Sequence, residues 1–134
     1  MSREILFRGK SLVFDDWVEG DLLNYSPNPK ICVTRNEEED KDLYFVLKET
    51  VGQYTGLTDK NGKRIFDGDI LKFKDDDGDY SLNEVYFDNN LLAFMTKETD
   101  RGSIDDMSGW EKWRENYEVI GNIHDNNELL EVSE

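Results

Sequence analysis

Short apolar runs broken by glycine, asparagine and aspartate predict a mainly β chain. The expected form is strongly bent antiparallel sheets in one or two small barrel-like (SH3-like) subdomains, with at most one or two short helices. Three observations support this. Residues 51–73 place four glycines, an Asn61-Gly62 pair and an Asp67-Gly68 pair between short apolar segments. Residues 1–34 read as strands parted by turn signals, with Pro27-Asn-Pro29 as a firm stop. Residues 69–96 read as three antiparallel strands.

Taken in order, residues 4–8 predict a first strand, with residues 12–14 continuing it after Gly9. Asp15-Asp16 turns the chain, and residues 17–25 give a second strand. Residues 31–34, rich in β-branched side chains, give a third. The acidic run at residues 36–42 reads as a solvated loop. Residues 43–47, nearly all apolar, predict a central strand buried on both faces.

In the glycine-rich stretch, Tyr54 and Leu57 flank a break at Gly56. Asn61-Gly62 then suits a type I′ hairpin or a bulged loop, and Asp67-Gly68 a second reversal into a strand at residues 70–73. So many glycines also suit a backbone cradle, but neither G-x-x-x-x-G-K-[ST] nor G-x-G-x-x-G is present. Residues 74–79 form a charged hairpin tip, residues 80–87 and 91–95 strands around a turn at 88–90, and residues 97–108 an exposed loop. Trp110 and Trp113, three apart, share one face of a short helical turn. Residues 117–123 make a last strand, and residues 128–131 add a turn of helix.

The string Gly52-Gln-Tyr-Thr-Gly-Leu-Thr-Asp-Lys-Asn-Gly-Lys63, followed by Ile65-Phe-Asp-Gly-Asp-Ile70, resembles the signature of the YopX family of bacteriophage and prophage proteins. The opening Arg3-Glu-Ile-Leu-Phe-Arg-Gly9 with Trp17-Val-Glu-Gly-Asp21 is similar to that family's start. The ending Tyr117-Glu-Val-Ile-Gly-Asn-Ile-His124 with Asn127-Glu-Leu-Leu130 is similar to its close. The resemblance spans the chain and implies a mainly β fold with barrel-like parts and a phage or prophage setting. It brings no catalytic residues with it. A single compact domain over residues 1–134 follows, divisible into subdomains 1–50 and 51–134.

Acidic residues outnumber basic ones 31 to 16, for a net charge of -15. A surface so charged repels phosphate backbones and anionic lipid, which argues against nucleic acid and membrane as partners. A nucleic-acid-binding barrel would need its cations gathered on one face, from Arg3, Arg8, Lys10, Lys60, Lys63 and Arg64. The lone cysteine, Cys32, fits a reducing compartment, and no stretch reads as a leader or span, so a cytoplasmic location in the bacterial host is expected.

His124, the single histidine, has no Cys-x-x-Cys or His-x-x-x-His partners and reads as a strand-end residue. Asp75, Asp77 and Asp79 alternate like a calcium loop, but Tyr80 and Tyr86 stand at its required glycine and glutamate positions. No cofactor, metal or catalytic constellation emerges. The sequence therefore points to a non-enzymatic accessory protein that binds an unknown protein partner, with an acidic surface mimicking nucleic acid toward a basic groove as one concrete form. Glu37, Glu38, Glu39, Asp40, Trp110 and Trp113 are the candidate interaction residues, and Gly56, Asn61, Gly62, Asp67 and Gly68 the structural turns. The rivals are a homo-oligomeric assembly protein and a small hydrolase or nuclease using clustered carboxylates and a divalent ion.

Overall fold

The computed structural model describes residues 4–23, 28–34 and 41–130. The chain forms two compact units, residues 1–54 and 55–134, with the boundary inside one strand. Both are antiparallel, and the sheets are bent without closing into a barrel. Among the described residues the only helical elements are three short 3-10 segments, Lys48–Thr50, Trp110–Asn116 and Asn127–Leu130. No helix of the described residues is long and apolar enough to cross a membrane.

In the first unit, β1 (Phe7–Lys10), β2 (Trp17–Leu23), β3 (Lys30–Thr34) and β4 (Lys41–Phe45) form a meander. The start of β5 (Gly52–Thr58) pairs with the outer side of β1. Val18, Ile31 and Val46 form the buried core, with Phe7, Leu22, Val33 and Tyr44 packed around it. Gly9 lies so close to this core that a Cβ there would stand 2.8 Å from the Val46 side chain. An isolated bridge, Ser11 to Val46, ties the chain after β4 to the chain after β1.

Three expectations for this unit need correction. Residues 12–14 do not extend a strand. Ser11 Oγ accepts the backbone N–H of Val13 (3.1 Å) and Phe14 (3.3 Å), which rolls the chain into an exposed bend. The apolar run at 43–47 is not a central strand either. β4 ends the sheet, its burial alternates, and Leu43 (54%) and Phe45 (46%) face solvent. Finally, the first strand begins at Phe7 rather than at residue 4. Tyr25, Pro27 and residues 36–40 of the acidic run lie outside the described residues, while Lys41 and Asp42, expected as the end of that loop, belong to β4.

In the second unit, β6 (Arg64–Phe66) neighbours the end of β5. A five-stranded sheet follows in the order β10-β9-β8-β7-β11, from β7 (Asp69–Lys74), β8 (Tyr80–Asp88), β9 (Ala93–Glu98), β10 (Ile104–Asp106) and β11 (Tyr117–Asn122). Its core is Ile65, Leu71, Val85, Phe94, Met107, Trp110 and Tyr117.

The same turn is built twice in this unit. In Asp59-Lys-Asn-Gly-Lys63 the Gly62 N–H donates to Asp59 O (2.9 Å) and the Asp59 N–H to Lys63 O (2.8 Å). Asp75-Asp-Asp-Gly-Asp79 repeats both bonds at 3.1 and 2.8 Å. In each, the leading aspartate's Oδ1 also accepts the N–H groups two and four residues on. Gly62 (φ 79°) has positive φ and Asn61 does not, so the bulged loop forms rather than type I′.

Gly68 (φ 94°) makes the second reversal, where Asp69 Oδ2 accepts the Phe66 N–H at 2.7 Å. Gly56 (φ 92°) does not break its strand but kinks it, and β5 runs on to Thr58. Leu91 and Leu92 belong to an exposed turn rather than to β9, held where Asp88 Oδ1 accepts the N–H groups of Asn90 and Leu91. Residues 97–108 are not a loop: they finish β9, turn, and return as β10, after which Met107 enters the core.

Candidate functional site

Directly opposed residues of an antiparallel ladder share a face. Register therefore sets Val119, Leu71, Asn83 and Glu98 in one row across β11, β7, β8 and β9. A neighbouring row holds Tyr117, Phe73 and Ser81, and another holds Val85, Thr96 and Asp105. Along β8 this one face runs Phe87, Val85, Asn83, Ser81, and along β9 it runs Phe94, Thr96, Glu98. Around Val85 and Phe94 it is hydrophobic core, and toward Ser81 and Glu98 it becomes polar without changing sides.

The polar end is a cleft of about 300 Å³ whose lining includes Ser81, Asn83, Thr96, Glu98 and Asp105, walled by Phe73, Trp110 and Trp113. Two further hollows also meet Phe73. One, about 370 Å³, runs past Trp113 to Asp75 and Asp76; the other, about 240 Å³, runs to Asp79, Glu98 and Arg101. The lining thus carries five carboxylates and one cation, Arg101.

The aromatic wall is fixed by packing. Phe73 lies 5.7 Å from Trp110 and 5.8 Å from Trp113 between ring centroids, and Trp110 lies 5.5 Å from Tyr117. Trp110 is buried and its Nε1–H donates to Asp105 Oδ2 at 3.4 Å. Trp113, in the same 3-10 segment, is 42% exposed, with Lys112 Nζ 5.2 Å from its ring centre.

The polar residues are less fully satisfied. Asn83 is only 8% exposed; its Nδ2 donates to Ser81 Oγ at 3.1 Å, and its Oδ1 has no partner among the described residues. The Glu98 side chain is 21% exposed, and the nearest cation it meets is the outlying Arg101, at 3.9 Å. Beneath the wall, burial raises the pKa of the Tyr117 hydroxyl; the Arg114 guanidinium opposes that shift, while Glu111 and Asp59 add to it.

Of the residues singled out from sequence, Trp113 borders this cleft and is accessible. Trp110 belongs to the core and shows the cleft one wall rather than an open surface. Glu37, Glu38, Glu39 and Asp40 lie outside the described residues. Asn61, Gly62, Asp67 and Gly68 are turn residues, as read, whereas Gly56 lies inside β5.

His124 sits exposed in the turn after β11, its backbone N–H donating to Asn122 Oδ1. Cys32 is half-buried in β3. Arg8 is buried with its guanidinium 4.6 Å from the Trp17 ring centre, Lys10 pairs with Asp15, and Lys60 approaches Glu118 at 3.9 Å; Arg3 is outside the described residues. Among the described residues no three of His, Cys, Asp and Glu converge so as to hold a metal. Asp75 in particular spends its carboxylate on its own turn.

Sequence reading missed Phe73, Ser81, Asn83, Glu98 and Asp105. The signal was available in β8: Val85 sets the inward phase, and Asn83 and Ser81 are polar residues on that same phase.

Together these features define a small antiparallel β protein whose second unit carries an aromatic, carboxylate-rimmed cleft. The chain belongs to the YopX family, whose model, YopX protein, matches residues 6–131. It is also similar to the crystal structure of protein EF1440 from Enterococcus faecalis, at 25% identity and a TM-score of 0.58, over 97% of this chain and all of that one. No curated protein matches it.

Proposed function

We propose that this chain is a non-enzymatic phage or prophage accessory protein, acting in the bacterial cytoplasm, that binds a protein partner of basic surface through the cleft of its second unit. The observation that carries the reading is an accessible tryptophan wall with two carboxylates in the cleft, Glu98 and Asp105, and three more, Asp75, Asp76 and Asp79, in the two hollows beside it. Aromatic side chains with satisfied neighbours are the usual anchors of protein recognition, and the charges set partner choice and association rate. A basic protein that handles nucleic acid fits this description, since its groove already expects negative charge.

Retention from bacterial lysate tests it. Wild-type protein is immobilised beside a variant carrying Glu98→Gln, Asp105→Asn and Trp113→Ser. A basic protein held by the first, released by moderate salt and not held by the second is the expected result. Equal retention by both removes the cleft from the account.

One observation favours a second reading. Leu43 and Phe45 stand exposed on the strand that ends the first unit's sheet, a position suited to self-association. Lys30 Nζ, 4.6 Å from the Phe45 ring centre, covers part of that surface. A monomer in light scattering at micromolar concentration would dispose of assembly through this strand.

A further inference from the structure

We infer that the cleft between Phe73, Trp113, Asn83 and Glu98 is a receptor for a guanidinium, the side chain of an arginine on the partner protein. The inference rests on the binding role proposed above and names the group recognised.

Two acceptors stand directly opposite each other on β8 and β9, Asn83 and Glu98. Both line the cleft, and both have acceptor capacity that their neighbours do not fill. Asn83 is more than nine-tenths buried, lines the cleft, and its Oδ1 meets no donor among the described residues. An acceptor left open on a cleft wall is available to a donor on a ligand.

The Glu98 side chain is 21% exposed, and a carboxylate partly withdrawn from water gains from a counter-charge and donors. Arg101 does not supply them: at 3.9 Å and 82% exposure it is a screened surface contact. The complement that suits both acceptors is cationic and rich in N–H groups.

The walls decide which cation. Phe73 and Trp113 offer aromatic surface beside the acceptors, and a planar guanidinium can stack on such a ring while its edge donates in the ring plane. An ammonium can use the charge but not the plane. The volume of about 300 Å³ lies at the lower end for ligand sites, suited to one side chain rather than a cofactor. Asp105 is already engaged by Trp110 Nε1, which leaves Glu98 as the principal anion.

The test uses the whole protein and three small probes: blocked arginine, blocked lysine and blocked citrulline, the last being the neutral isostere of arginine. Nuclear magnetic resonance follows the Asn83 side-chain amide and the Trp113 indole N–H, with Trp17 as an internal reference. Arginine should move Asn83 and Trp113 saturably, lysine should bind more weakly, and citrulline should move neither. Glu98→Gln should weaken arginine by about ten- to hundredfold, the range spanned by one charge-assisted hydrogen bond. Should that variant fail to fold, Trp113→Ala removes an accessible ring and should lower affinity in the same assay.

Equal responses to arginine and citrulline would overturn the inference, as would arginine shifts spread over the acidic hairpins without saturation at Asn83. The two readings fail separately. Cleft-dependent retention of a protein without arginine binding sinks the guanidinium receptor alone. Saturable arginine binding with retention unchanged in the triple variant sinks the partner-binding role and leaves the receptor standing.

Discussion

Asp59 Oδ2 accepts the backbone N–H of Val119 at 2.9 Å, joining residues 60 positions apart. Its Oδ1 meanwhile accepts Asn61 N–H and Lys63 N–H, both at 2.9 Å. Asp59 is only 1% exposed, so a single buried side chain closes a hairpin tip and clamps it to β11, the strand that also brings Tyr117 under the aromatic wall.

Removing that clamp should be costly. Asp59→Ala loses three hydrogen bonds to a charged acceptor and strands three amides, and we expect about 3 kcal/mol or more of destabilisation in chemical denaturation. Asp75→Ala is the control: the same turn, solvent-exposed and without a long-range bond, should lose about 1 kcal/mol. Equal losses would mean that the Val119 link contributes nothing.

Gly20 makes a second sharp prediction. A Cβ at this position would stand 2.0 Å from the Cys32 carbonyl oxygen on the neighbouring strand, and backbone cannot yield as a flexible side chain does. Gly20→Ala should destabilise the protein by about 3 kcal/mol or prevent folding. Gly62→Ala meets open space and only backbone strain at φ 79°, so about 1 kcal/mol is expected there. A melting temperature unchanged by Gly20→Ala would contradict the strand packing.

Tyr117 gives a pH dependence. Its folded pKa is raised, chiefly by burial, so the folded state holds this proton more tightly than the unfolded chain does. The associated stability is complete below the unfolded value of about 10 and is lost as pH climbs through the folded value. Its hydroxyl is buried without a hydrogen bond of good geometry, although the Arg114 guanidinium is a favourable charge for it. Tyr117→Phe should therefore be close to neutral at pH 7 and should lose less stability than wild type above about pH 10. Parallel alkaline curves for the two proteins would rule out this residue as the source.

Charge sets the last expectation. With a net charge of -15, the folded chain repels itself, and added sodium chloride should raise its melting temperature until screening is complete. A flat or falling response would take self-repulsion out of the account.

Local chemistry was legible wherever it was decided locally. The glycine turns at residues 61–62 and 67–68, the three strands that follow Asp69, the last strand from Tyr117 and the short turn near residue 128 could all be read in order. The family and the mainly β character were likewise present in the chain. Backbone preference and alternation act over a few residues, and the sequence displays them directly.

What the tertiary structure alone decided was which side of each strand met a neighbour. The apolar run at 43–47 looked central, yet β4 ends its sheet; residues 97–108 looked like loop, yet they complete the cleft with β10. Trp110 and Trp113 share a segment and differ in fate, one in the core and one at the rim. Asp59 reads as an ordinary turn aspartate until Val119 arrives from 60 residues away. Asn83 and Glu98 stand 15 positions apart in sequence and become opposite neighbours only through ladder register. Register and burial are properties of paired strands, set by every contact the sheet makes at once, and no window of a few residues contains them.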